Sequence, residues 1–199
     1  MNAQTERRMV EGPAGAIECA IDQPAGTPRG VALVCHPHPQ HGGTMDNKVV
    51  QTLARAVVTC GYTSVRFNFR GIGGSAGVWD EGRGEIDDAA AVLQALRAAD
   101  QSLVLAGFSF GAYVTSQLAQ RVAAERIVLV GPAVVNFPVA AVPNSSLVVH
   151  GEADDVVPLA GVLDWARPQM QPVTVVPAVG HFFHGQLPLL RQLVTQFLR

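Results

Sequence analysis

The pentapeptide Gly107-Phe108-Ser109-Phe110-Gly111 constrains the fold more than any other stretch of this chain. The apolar run Ser102-Leu103-Val104-Leu105-Ala106 precedes it, and Ala112-Tyr113-Val114-Thr115-Ser116-Gln117-Leu118-Ala119 after it reads as a helix. Strand, sharp turn and helix with a serine at the apex is the setting in which G-x-S-x-G exposes a nucleophile. A serine so placed sits in an unfavourable backbone conformation, so the positions two residues to either side must be small. Gly107 and Gly111 supply that room. The pentapeptide alone is a weak signal; the strand, the helix and the partners downstream give it meaning.

With 199 residues, the chain is most simply one domain with a substantial core. Hydrophobic residues make up 48% and charged residues 15%, which describes a compact globular protein rather than a disordered one. The formal net charge of −2 and the lack of a long basic run leave no electrostatic footprint for nucleic acid or an anionic membrane. No apolar run reaches the length of a membrane-spanning helix. The polar start, Met1 to Arg8, has no apolar segment behind it, so no signal peptide is expected. Cys19, Cys35 and Cys60 lie in apolar segments without metal-ligand spacing and read as buried, reduced thiols of a cytoplasmic protein.

Strand-like and helix-like segments alternate along the chain. Residues 16–21 alternate in polarity and predict an antiparallel edge strand, with a further short strand at 8–10. Residues 31–35 are continuously apolar, as in a strand covered on both faces. Residues 36–47 form a loop rich in Pro and Gly, and a helix follows to Cys60, capped by Asp46 and stopped by Gly61. Further strands are expected at 63–69, 126–130, 146–149 and 173–176. Helices are expected at 85–99, with Arg97 in the last turn, at 158–169 and from Leu187 onward. Strands separated by helices imply an α/β fold with a mostly parallel sheet flanked by helices on both faces.

A serine hydroxyl needs a base to take its proton, and that base needs an orienting carboxylate. His181 follows the last predicted strand in Gly180-His181-Phe182-Phe183. Between it and the serine, also directly after a strand, lies His150-Gly151-Glu152-Ala153-Asp154-Asp155. The order Ser, Asp, His is that of the α/β hydrolases. Five segments carry a resemblance to that superfamily over residues 30–199. They are His36-Pro37-His38-Pro39 with Gly42 to Lys48, Phe69 to Ser75, the Ser109 turn, His150 to Asp154, and Gly180 to Phe183. Within the superfamily the chain resembles small serine hydrolases without a lid, related to dienelactone hydrolases and short-chain carboxylesterases. Dienelactone hydrolases have a cysteine nucleophile, so Ser109 points away from their lactone chemistry.

The resemblance implies a minimal α/β-hydrolase domain over 1–199 with no cap domain. It also implies Ser109 as nucleophile, His181 as base and Asp154 as orienting acid. Asp154 keeps the family's spacing from Gly151, whereas Asp155 and Glu152 read as solvated, His184 as helix entry and His150 as structural. One oxyanion donor is the N–H of Phe110; the other comes from the loop after Cys35, where Pro37 and Pro39 have no N–H. His38 is chosen, with Gln40 as the alternative. Arg70 is assigned to holding loops. His36, His38 and His41 lack acids at ligand spacing, so no metal and no cofactor is expected.

The short connection from Gly131 to Ser145 has no room for a helical lid, which points to an open site for small, soluble esters. Phe137, Trp79 and Phe182, with Val134, Val135 and Phe110, fall in loops at the carboxyl ends of strands and suit an apolar group, simple packing being an equal alternative. The expected function is a serine esterase acting on a small-molecule ester through an acyl-enzyme. A thioesterase or amidase would use the same residues, and a catalytically silent binding scaffold is the reading from another class. The sequence does not determine whether the protein forms a homodimer.

Overall fold

A computed structural model describes residues 5–199. Among the described residues, eight strands join one sheet in the order β1-β2-β4-β3-β5-β6-β7-β8. The strands are β1 (Glu6–Gly12), β2 (Gly15–Asp22), β3 (Gly30–Cys35), β4 (Tyr62–Phe67), β5 (Ser102–Phe108), β6 (Arg126–Val130), β7 (Leu147–Gly151) and β8 (Thr174–Val176). The first two pair antiparallel, and β2 pairs antiparallel with β4; every pair from β4 to β8 is parallel. The helices are α1 (Lys48–Thr59), α2 (Arg83–Leu96), α3 (Phe110–Leu118), α4 (Leu159–Ala166) and α5 (Leu187–Leu198).

Strand β3 and most of β5 and β6 are apolar because both of their faces are covered. Along β3, Val31, Leu33 and Cys35 face a core shared with Ile86 and Val92 of α2 and Val114 and Leu118 of α3. Ala32 and Val34 point the other way, into a core with Val50, Leu53 and Val57 of α1 and Leu190 and Val194 of α5. A third cluster seats Val162 of α4 on Ile127, Leu129 and Val148. All three cysteines are free and buried; desolvation pushes the Cys19 and Cys35 thiols up to about 12.

Four expectations need correction. The strand at 15–22 is not the edge, because β1 pairs along its whole length. Most of β1 is exposed, so it carries no alternating apolar signal. Asn47, not Asp46, caps α1, its Oδ1 accepting from the Val49 N–H at 2.8 Å. The Asp46 carboxylate is held by Arg66 and Arg7, two cations distant in sequence. Arg97 is the extended residue after α2; its N–H still donates to Leu93 O, but its guanidinium bonds Gln101 O rather than the last helical carbonyls. The loop at 36–47 is not wholly irregular, since Pro39–His41 make a 3₁₀ turn.

Candidate active site

Ser109 stands between β5 and α3 with φ 57° and ψ −117°. A non-glycine residue there is strained, and the neighbours hold it in place. Its N–H donates to Val130 O at 2.9 Å, tying the turn to β6. A side chain on Gly107 would meet Gly111 O at 2.2 Å, and one on Gly111 would meet Cys35 O at 2.3 Å. The two glycines are therefore required by space alone.

The structure brings Ser109, His181 and Asp154 together. Ser109 Oγ lies 3.0 Å from His181 Nε2, and His181 Nδ1 lies 2.7 Å from Asp154 Oδ2. An ionised carboxylate only accepts, so Nδ1 carries the proton and Nε2 is left to accept from the serine hydroxyl. All three residues are buried, and Gly131 leaves room beside the imidazole, where a Cβ would come within 3.2 Å of its Cε1. Asp154 Oδ1 accepts from the Val156 and Val157 N–H groups at 3.0 and 2.7 Å. Burial pushes its pKa up, but hydrogen bonds from His181 and the Val157 N–H outweigh that and hold it below the ordinary carboxylate value. The turn carrying Asp154 is stitched to the His181 loop by Ala153 N–H to Val179 O, at 3.0 Å. Asp155 and Glu152 are exposed, as read from sequence.

Phe110 begins α3, where no helical carbonyl precedes its N–H to accept it. In the 36–47 loop, the Gln40 N–H is directed at His38 Nδ1, 3.3 Å away. The His38 carbonyl accepts from the His41 and Gly43 N–H groups, while its own N–H has no protein acceptor among the described residues. Arg70 does hold loops together: Nε and Nη2 grip the Asp88 carboxylate at 2.8 Å each, and Nη2 also reaches Gly84 O.

The aromatic expectations divide. Trp79 and Phe137 gather with His38 around Phe110, at ring separations of 5.1 Å and 4.9 Å from Phe110 and 4.6 Å from His38 to Trp79. Phe182 does not join them; its ring neighbours are Phe108, His181 and His184, and it is 44% exposed. Among the described residues, no group of three or more His, Cys, Asp or Glu is arranged to hold a metal ion.

His36 has a role that the sequence reading did not assign. It is fully buried; Nδ1 lies 2.6 Å from Pro37 O, and Nε2 accepts from the Phe69 N–H at 3.0 Å. The imidazole thus joins the ends of β3 and β4 and sets where the His38 loop departs. Burial lowers its pKa to about 3, so it stays neutral. Its position directly after an apolar strand was the available signal.

A family model described as serine aminopeptidase, S33, matches residues 26–145. An α/β serine hydrolase homologue from Coxiella burnetii is 41% identical, with 98% of this chain and 97% of that one covered and a TM-score of 0.90. A serine hydrolase without a lid from Xanthomonas campestris is 38% identical over 100% of this chain and 95% of that one, also at 0.90. An uncharacterised protein of Rickettsia prowazekii is 45% identical over 113 residues, and the chain spans about half of that curated relative's length (48%). This chain belongs to the α/β-hydrolase superfamily. It is a hydrolase with the minimal, lidless form of the fold: residues 131–146, between β6 and β7, hold turns and no helix.

Proposed function

We propose that this hydrolase cleaves small carboxylic esters through an acyl-enzyme formed on Ser109. The observation carrying the proposal is the unbroken line from Ser109 Oγ through the His181 imidazole to Asp154, with contacts of 3.0 and 2.7 Å. As Ser109 Oγ attacks the carbonyl carbon, its proton passes to His181 Nε2. Asp154, already ionised and bonded to Nδ1–H, stabilises the resulting imidazolium. The carbonyl oxygen becomes negative and takes hydrogen bonds from the Phe110 and His38 N–H groups, each contributing about 3–4 kcal/mol to lowering the barrier. His38 is preferred over Gln40 because the Gln40 N–H already serves the His38 ring. Collapse expels the alcohol, protonated by His181. Water then enters by the same route in reverse and releases the acid.

The lidless fold supports a small substrate open to solvent. Trp79 and Phe137, packed on Phe110 and His38, offer an apolar group to the site, and exposed Phe182 lies against the His181 ring. The test is a fluorophosphonate label mapped by peptide analysis, followed by p-nitrophenyl esters of increasing acyl length, an acyl thioester and an aminoacyl p-nitroanilide. We expect the label on Ser109, fastest turnover of short oxygen esters, and loss of turnover in Ser109→Ala. Turnover retained in that variant defeats the nucleophile assignment. Faster anilide cleavage would replace ester by amide as the substrate class.

A further inference from the structure

His150 lies in β7, four residues before Asp154, and is fully buried. Its Nε2 is 2.9 Å from Val157 O and 3.5 Å from Asp154 Oδ2. Its Nδ1 is buried with no hydrogen-bond partner among the described residues. A nitrogen facing two acceptors carries the proton and one facing none does not, so this ring is neutral with its hydrogen on Nε2. Burial also pushes its pKa below the ordinary histidine value, against the opposing pull of Asp154 and the Val157 carbonyl. A phenyl ring would fill the same space without stranding a buried nitrogen. What the imidazole adds is the Nε2–H.

We propose that His150 is a positioning residue for Asp154, clasping the 154–157 turn through Val157 O and aiming the positive end of its ring dipole at Asp154 Oδ2. This rests on the reading of Asp154 as the acid that orients His181. The clasp is one link in a chain of bonds: His150 Nε2–H to Val157 O, Val157 N–H to Asp154 Oδ1, and His181 Nδ1–H to Asp154 Oδ2. Oδ1 takes a second N–H from Val156, so both carboxylate oxygens are fixed and the plane presented to His181 cannot turn. The titratable groups facing Asp154 are His150 from β7 and His181 from the loop after β8; on the same turn Asp155 is exposed and the Glu152 carboxylate accepts from the Ala178 N–H at 2.9 Å. His181 is likewise the other titratable neighbour felt by His150.

The experiment compares His150→Phe, His150→Gln and His150→Asn in ester hydrolysis across pH. The Gln amide nitrogen reaches the Nε2 position; the Asn amide reaches only the Nδ1 position. In His150→Phe, kcat falls about ten-fold with KM nearly unchanged, because the acid is no longer held in line. Without the facing N–H, the Asp154 charge acts more strongly on the His181 imidazolium, so the acid limb of kcat/KM moves up by about half a pH unit. His150→Gln keeps both near the parent values, and His150→Asn behaves like the Phe variant.

A Phe variant that is less stable but has the parent kcat and acid limb overturns the proposal, leaving His150 as packing only. If the Phe variant does not fold, the Gln and Asn profiles decide: a difference between them supports the clasp and identical profiles overturn it. Failure of His150→Gln to fold also overturns it, since the N–H is then not what matters. Turnover retained in Ser109→Ala would defeat the nucleophile assignment instead, and is measured separately.

Discussion

The buried neutral His36 makes the fold sensitive to acid in a way that one substitution isolates. Its pKa is about 3 in the folded chain against 6.5 for an ordinary histidine, so between those values the unfolded chain binds the extra proton. Stability therefore rises with pH across this window: it is fully present above about 6.5 and lost as pH falls toward 3. The slope is about 1.4 kcal/mol per pH unit, which gives a loss of about 2–3 kcal/mol from pH 6.5 to 4.5. His36→Gln removes the titration and keeps a neutral amide where the Phe69 N–H and Pro37 O need partners. At pH 7 the variant is less stable by about 1–3 kcal/mol through poorer hydrogen bonding. On acidification the parent loses its advantage while the variant does not, so the gap closes. Urea unfolding of both proteins at half-unit steps from pH 7.5 to 4.5 measures that gap, and the other titrating groups cancel in the difference. A gap that stays constant over the range would refute the assignment of a buried neutral His36.

Two further outcomes follow from single contacts. Asp154→Asn should lower kcat about 10⁴-fold, because the amide cannot hold the His181 tautomer; Asp155→Asn, at an exposed position, should cost less than about three-fold. The reverse order in steady-state kinetics would move the orienting role to Asp155. Arg70→Met leaves the Asp88 carboxylate buried without its bidentate partner and should destabilise by about 3–5 kcal/mol in urea unfolding, and a change below about 1 kcal/mol would show that the pair contributes only at the surface.

The sequence made the site legible where the chemistry depends on local order along the chain. The Ser109 turn is dictated by two glycines that nothing else could replace, and the Asp154 and His181 loops each follow an apolar strand that marks their place. What it concealed depends on partners brought from afar. Asp46 was as good a cap as Asn47 until Arg66 and Arg7 claimed its carboxylate. Strand β1 shows no apolar rhythm because it is built from backbone pairing at an exposed edge, where side chains are free to be polar. The separation of Phe182 from Trp79 and Phe137 follows from the rings each packs on, Phe108 and His181 for the one and Phe110 for the others, and spacing along the chain does not encode that. His36 was visible as a residue but not as a bolt between β3 and β4, since its acceptor role appears only when Phe69 is set beside it.

The parallel half of the sheet ends in β8, which has three residues and one neighbour, β7. The loop that carries His181 hangs from this strand. An edge strand of that length opens at a fraction of the free energy needed to open the whole sheet. An opening that draws Val176 and Val179 out of the core under α5 also draws the imidazole away from Ser109. In the proposed mechanism, turnover then falls in mild heat or denaturant before the central strands unpair, and a sample keeps most of its secondary structure after its base is displaced.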